Sequence, residues 1–316
     1  MTSSKKKVLK KVLWGIVLTI IIYFTVSMIV TKIIYSFVFS RYNAENPQSV
    51  LTETAKMLAD AKEFSYKCGG HRLWGTLYSN DEGEQGLVVL TPGFKSEVIE
   101  YEGVIYAFLQ EGFDVFAFNP TGHGKSEGVS AVGFPQIIAD LDATLDFVGE
   151  SFDYSDVFLL GHSWGGYATC CSVNNHKNIT AAVAVNGVDS SMDAIMAYST
   201  KYVGDVAYGN YPILSLYQNM VFGSKLSGYS SVDEINASSV PVLIIQSEGD
   251  EQIPKDEYSI YSKRSEITSE NAEFLLYDQS GKDGHTNILY SESRQPNYEI
   301  VKIIADFYKE KSNHKD

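Results

Sequence analysis

Three side chains set far apart in this sequence have the types and the local settings to carry out nucleophilic chemistry: Ser163, Asp250 and His285. Ser163 lies in Gly161-His162-Ser163-Trp164-Gly165-Gly166, directly after the apolar run Val157-Phe158-Leu159-Leu160. A serine between glycines, where a strand reverses sharply into a helix, is lifted clear of the backbone, and that geometry leaves no room for flanking side chains. A serine hydroxyl is a poor nucleophile near neutral pH. It needs a base to take its proton and a carboxylate to orient that base. Asp250 follows the apolar run Val240-Pro241-Val242-Leu243-Ile244-Ile245, and His285 lies in the loop after Phe274-Leu275-Leu276-Tyr277. Both are expected just past strand ends. Glu248, Glu251 and Asp283 compete with Asp250 as the acid. His71, His123, His162, His176 and His314 compete with His285, but none of them follows a late strand.

Acyl transfer also requires hydrogen-bond donors aimed at the developing oxyanion. One is expected from the backbone N–H of Trp164, the residue after the serine. The other is expected from the loop after Gly86-Leu87-Val88-Val89-Leu90, which continues Thr91-Pro92-Gly93-Phe94-Lys95; there the N–H of Phe94 is the best placed. Because a backbone group donates, the Phe94 side chain is free to line an acyl pocket.

At this point the chain resembles the α/β-hydrolase superfamily, in the branch that looks like monoacylglycerol lipases and serine aminopeptidases. The order Ser163, Asp250, His285 is that of the α/β-hydrolase triad and differs from the orders in other serine-hydrolase folds. The stretch Asp114-Val115-Phe116-Ala117-Phe118-Asn119-Pro120-Thr121-Gly122-His123-Gly124-Lys125-Ser126-Glu127-Gly128 is similar to the family's strand followed by a G-H-G-x-S loop. The resemblance covers roughly residues 64 to 311. It implies a mostly parallel sheet, and it implies that His123 ties its loop down rather than acting on substrate. The chain departs from the family in two places. Pro92-Gly93 stands where the family has His-Gly, so the turn is either rigidified or cis. Asn119 and Thr121 stand where the family often has Asp and Arg, so the salt bridges of that pair are missing.

The elements that must position these residues are legible in outline. Phe64 to Tyr78 reads as an antiparallel hairpin turning at Gly69-Gly70. Strands are expected near 86–91, 114–119, 156–161, 179–185, 240–246 and 273–278. They alternate with helices beginning near Glu97, Pro135, Trp164, Lys255 and Asn297, the pattern of a mostly parallel sheet covered on both faces. Ligands bind outside the carboxyl ends of such strands, where all four motif loops fall. About fifty residues separate Asn186 from Val240, too many for an ordinary loop. They predict a lid at about 188–235, with Met192, Met196, Tyr198, Tyr202, Tyr208, Tyr211, Tyr217, Met220, Phe222 and Tyr229 either walling an acyl chain or packing the lid onto the body.

The amino terminus has a separate role. Val12 to Val30 is a run of 19 residues without a charge, long enough for a hydrocarbon core of about 30 Å. Lys5, Lys6, Lys7, Lys10 and Lys11 precede it, while Lys32 and Arg41 follow closely. That bias predicts a cytosolic tail, a single-pass signal anchor and a domain on the extracytoplasmic side of the cell membrane. A cleaved signal peptide needs a shorter apolar region and a small-x-small site, and neither is evident. The apolar run resumes as Ile33-Ile34-Tyr35-Ser36-Phe37-Val38-Phe39, so the helix is expected to continue into the interface on aromatic anchors. The division is thus 1–41 for tail and anchor and 42–316 for the hydrolase-like domain.

Composition narrows the partners. All 39 acidic residues follow the anchor, whereas 7 of the 25 Lys and Arg lie within it, so the domain is strongly acidic. This disfavours nucleic acid as a partner. Cys68, Cys170 and Cys171 are expected to be small buried residues outside any disulfide framework, and no spacing resembles a metal site. The expected activity is hydrolysis of a carboxylic ester, lipid-like or small, or less readily of a thioester or amide. It would proceed through an acyl-enzyme with no cofactor, on a small-molecule acyl substrate. Acyl transfer or peptidase action could use the same residues, and Pro92 and Asn119 admit a catalytically silent binding module. No oligomeric state follows from the sequence.

Overall fold

The computed structural model describes residues 3–44, 61–79, 85–278, 283–290 and 295–312. His314 and the Gly281-Lys282 pair of the histidine loop lie outside them. A long helix, α1 (Ser3–Val38), precedes the domain. Its residues from Val8 to Val30 are almost all exposed, including Trp14 and Ile22.

Next comes a hairpin of β1 (Lys62–Cys68) and β2 (His71–Tyr78), turning at Gly69 with φ 55°, a left-handed value suited to glycine. Then follow β3 (Leu87–Thr91), a 3₁₀ turn at Val98–Tyr101, α2 (Glu102–Gln110), β4 (Asp114–Asn119), α3 (Gln136–Ser151), β5 (Val157–His162), α4 (Trp164–Ser172) and β6 (Ile179–Val185). Four helices occupy the insertion: α5 (Ser191–Val203), α6 (Val206–Gly209), α7 (Tyr211–Ser227) and α8 (Ser231–Ala237). The chain closes with β7 (Val242–Ser247), β8 (Ala272–Tyr277), the short α9 (Gly284–Asn287) and α10 (Tyr298–Lys311).

The strands form one eight-stranded sheet in the order β1-β2-β4-β3-β5-β6-β7-β8. The β1–β2 and β2–β4 pairs are antiparallel and the remaining pairs parallel. Every residue of β3, β5 and β7 is buried, which explains why these strands read as unbroken apolar runs: both faces are covered. On one face Tyr66 stacks on Phe147 of α3 at 4.5 Å. On the other Phe158 stacks on Tyr308 of α10 at 4.6 Å. Helix α10 earns its place by amphipathicity, burying Ile300, Val301, Ile304, Ala305 and Tyr308 on one stripe. Asn297 caps it by accepting from the Ile300 N–H.

Two expected helices differ. The one near Glu97 opens as the 3₁₀ turn and becomes α-helical only at Glu102. The one near Lys255 does not form. Ser259 and Ser262 spend their hydroxyls on local backbone groups, with Ser259 Oγ donating to Lys255 O and Ser262 Oγ to Glu257 O, a competition that disfavours helix. The segment is also drawn into an antiparallel bridge between Ser259 and Val188. The three cysteines are buried thiols.

The insertion is helical and pinned at both ends by one carboxylate. Asp189 Oδ1 accepts from Ser230 Oγ and the Val232 N–H, and its Oδ2 receives the Lys263 ammonium at 2.7 Å. Met192, Met196, Tyr217 and Tyr229 pack inward, whereas Tyr198, Tyr202, Tyr208, Tyr211 and Met220 face outward.

Candidate active site

The β5–α4 turn has the geometry of a nucleophile elbow. Ser163 sits at φ 56° and ψ −112°, a strained conformation for a residue with a side chain. Its N–H donates to Val185 O at 2.8 Å, which anchors the turn to the end of β6. Tight packing explains the glycines: a Cβ on Gly161 would come 2.1 Å from Gly165 O, and one on Gly165 would come 2.1 Å from Thr91 O.

Asp250 and His285 meet beside this turn. His285 Nδ1 donates to Asp250 Oδ2 at 2.7 Å, and both residues are buried. The other carboxylate oxygen, Oδ1, accepts from the N–H groups of Gln252 and Ile253, both at 2.8 Å. Two backbone donors and one imidazole therefore converge on the Asp250 side chain and fix its orientation. Its competitors Glu248, Glu251 and Asp283 are all exposed. The His285 ring lies against the ring of His162, the neighbour of Ser163, with centroids 5.0 Å apart. Gly284 allows the loop this close, since a Cβ there would come 2.2 Å from Ser247 Oγ.

The two expected oxyanion donors are neighbours. The Phe94 and Trp164 rings pack edge to face at 5.5 Å and 90°. Trp164 is the first helical residue of α4, so its N–H has no intrahelical acceptor. Among the described residues the Phe94 N–H likewise meets no protein acceptor. No peptide bond among the described residues is cis, so Pro92 stiffens a trans turn.

With this geometry fixed, the relatives can be compared. Residues 82–209 match the family described as serine aminopeptidase, S33. A monoacylglycerol lipase from Mycolicibacterium smegmatis is 26% identical over 148 residues, which are 45% of this chain and 52% of the lipase. The chain thus spans about half the length of that curated relative. Among solved structures, an esterase from Pyrococcus furiosus superposes with a TM-score of 0.61 at 21% identity, covering 86% of this chain and 98% of the esterase. Est1E from Butyrivibrio proteoclasticus, solved with ferulic acid bound, gives 0.55 at 16% identity, covering 78% of this chain and 96% of the other. The chain has the α/β-hydrolase fold, and part of it is similar to the serine aminopeptidase family and to the monoacylglycerol lipase.

The site also contains supporting residues that have no motif of their own. The Gly93 N–H donates to Tyr101 Oη at 2.9 Å, Tyr101 Oη pairs with His162 Nδ1 at 2.8 Å, and His162 Nε2 pairs with His285 O at 2.8 Å. A carbonyl only accepts, so Nε2 carries the proton and Nδ1 accepts from the tyrosine. Burial, together with the neighbouring His285, lowers the His162 pKa to about 3, which keeps the ring neutral in this relay. Asn186, at φ 50° past the end of β6, binds the same loop. Its Nδ2 donates to Gly284 O and His285 O, while its Oδ1 accepts from the Ser247 N–H. His162 was visible in sequence only as a rival base. Tyr101 and Asn186 gave no signal beyond lying near a motif loop.

The G-H-G-x-S loop is held without the family's Asp and Arg. Thr121 N and Oγ1 both donate to the buried carboxylate of Asp140 at 2.7 Å, and His71 Nε2 meets Thr121 Oγ1 at 2.6 Å. Asn119 Oδ1 accepts from the Val98 N–H at 2.9 Å. His123 is fully buried, with Nδ1 donating to Thr121 O at 3.0 Å and its ring 5.9 Å from that of Trp164. Burial lowers its pKa to about 4, so it packs as a neutral ring.

Proposed function

We propose that this α/β-hydrolase is a membrane-anchored serine hydrolase that cleaves carboxylic esters of lipid-like or small acyl groups. Ser163 Oγ attacks the ester carbonyl carbon while His285 Nε2 takes its proton. The same proton then passes to the departing alkoxide, leaving an acyl-enzyme. His285 next draws a proton from water as the water oxygen attacks the acyl carbon, and returns it to Ser163 Oγ as the bond between that oxygen and the acyl carbon breaks and the acid leaves. The N–H groups of Phe94 and Trp164 stabilise the oxyanion in both steps. The observation that carries this reading is the buried 2.7 Å contact between His285 Nδ1 and Asp250 Oδ2. A proton fixed on Nδ1 by a carboxylate leaves Nε2 as the basic nitrogen, at a ring that packs beside the serine elbow.

The membrane reading rests on α1. An exposed apolar helix of this length is costly in water and fits a bilayer core. The lysines before it favour a cytosolic tail. Burial of Thr31, Tyr35 and Phe39 against the domain favours a retained anchor over a cleaved leader. Helices α5 to α8 would then act as the lid.

The test is turnover of a short p-nitrophenyl ester by the detergent-solubilised full chain and by its Ser163→Ala variant. The variant should lose about a millionfold in kcat. Undiminished turnover in purified Ser163→Ala refutes the assignment. A wild-type chain that is inert to both ester and fluorophosphonate favours a silent binding fold.

A further inference from the structure

The helix that leaves the membrane does not stop where the domain begins. Tyr35 and Phe39 are each 4% exposed, so two of the aromatic residues expected to sit in the lipid interface pack on protein instead, while Phe37 stays exposed. Tyr35 packs edge-on against Tyr217 of α7 at 4.7 Å, and Phe39 packs edge-on against Phe94 at 5.3 Å. Phe94 in turn lies edge-on to Trp164. Three rings therefore run in line from the end of the anchor to the residue after Ser163.

The next residues stitch the G-H-G-x-S loop. Phe39 O accepts from the Ala131 N–H at 2.8 Å, and Ser40 bridges Ser130. The Tyr42 N–H donates to Gly122 O at 3.0 Å, and Tyr42 O accepts from the Gly124 N–H at 3.2 Å. Arg41 donates from Nη1 to Ser126 O at 3.0 Å and to Gly128 O at 2.7 Å, and from Nη2 to Gly124 O. Gly122, Gly124 and Gly128 all have positive φ, so this loop cannot close a regular ladder and its carbonyls need outside donors. A planar guanidinium can serve three of them at once, whereas an ammonium has no fixed fork. The family's missing cation in this loop is thus supplied from the other end of the chain.

We propose that residues 35–42 are a positioning brace for the oxyanion end of the active site, so that the hydrolase is complete only with the end of its membrane helix attached. Phe39 seats Phe94 against Trp164, the two residues whose N–H groups are assigned to the oxyanion. Arg41 and Tyr42 fix the loop that holds His123 against the same tryptophan. This inference rests on the serine-hydrolase reading. It adds that severing the chain just after the helix would impair turnover while leaving Ser163, Asp250 and His285 in the fragment.

The experiment uses the full chain in detergent, comparing wild type with Phe39→Ala, Arg41→Ala and Arg41→Lys. Each is assayed for kcat and KM on a p-nitrophenyl ester, for the rate of fluorophosphonate labelling, and for its thermal midpoint. Displacing an oxyanion donor acts on the chemical step, so Phe39→Ala and Arg41→Ala should lower kcat by about tenfold to a hundredfold with KM nearly unchanged. Labelling should slow in parallel, and Arg41→Lys should recover only part of the loss. A fall in thermal midpoint with kcat and labelling unchanged, well below that midpoint, means that the segment is merely structural and overturns the proposal. Full activity in both alanine variants overturns it as well. Wild-type protein that neither turns over ester nor labels defeats the underlying hydrolase reading instead.

Discussion

The two ends of the proposed active site are built differently. The acid and histidine end is made by loops that follow β6, β7 and β8 and is held largely by their own atoms, with one further donor from the end of β5: Asn186 holds the Gly284 and His285 carbonyls, His162 donates to the His285 carbonyl, and Asp250 holds His285. The oxyanion end, after β3 and β4, borrows nearly everything. Tyr101 comes from the 3₁₀ turn, Asp140 from α3, and Phe39 and Arg41 from beyond the amino-terminal edge of the domain. A self-contained end should fail sharply when one of its own atoms is changed. A borrowed end should fail by degrees, as individual supports are removed.

Substitutions can break that contrast. The largest effect beyond the serine itself is expected at the carboxylate. Asp250→Asn offers His285 Nδ1 a poorer partner and favours the wrong tautomer, so kcat should fall about ten-thousandfold. Glu248→Gln and Glu251→Gln should stay close to wild type; a worse loss in either would move the acid to that residue. Next comes Gly284→Ala, whose Cβ meets Ser247 Oγ and the Gly249 backbone. Shifting the histidine loop by a fraction of an ångström to about 1 Å should cost up to about a hundredfold in kcat.

At the borrowed end Tyr101→Phe should be milder. It leaves the Gly93 N–H without its acceptor and His162 Nδ1 without its donor, a stability cost of about 1–3 kcal/mol. Chemical denaturation of the variant measures this, and an unchanged midpoint would mean that the relay is idle.

The last effect is a dependence on acid that both ends share, one that is absent at neutral pH. Burial lowers the pKa of His162 to about 3 and that of His123 to about 4, whereas in the unfolded chain each titrates near 6.5. Below that value the unfolded state binds protons that the native state refuses, so stability is full above about pH 6.5 and falls as pH drops toward 4. The slope should approach about 1.4 kcal/mol per pH unit for each histidine, read from unfolding free energies between these limits. His123→Asn should flatten it, and an equal slope in that variant would show that His123 titrates normally in the fold.

The same contrast explains what could be read from sequence. Strands β4 and β6 fall where their apolar runs predict, because buried parallel strands advertise themselves by composition. Candidates Ser163 and Asp250 are legible because each follows the end of such a strand, and His285 because it lies in the loop after the last strand. Tyr101, Asp140 and Arg41 were not, since their partners lie 8 to 87 positions away and nothing local marks them. The helix expected near Lys255 failed for a local reason, the serine hydroxyls that bond their own backbone. Asn119 and Thr121 were read as losses of family salt bridges, and the structure shows hydrogen bonds to Asn119 and to the buried Asp140 side chain, together with a distant arginine, holding that loop instead.

The most direct test of the central claim is to label the full-length chain with a fluorophosphonate and locate the adduct by peptide mass spectrometry. The account predicts one modified residue, Ser163, with labelling strongly slowed in His285→Ala and Asp250→Asn. An adduct on another serine, or labelling of Ser163 that is indifferent to both substitutions, would contradict it.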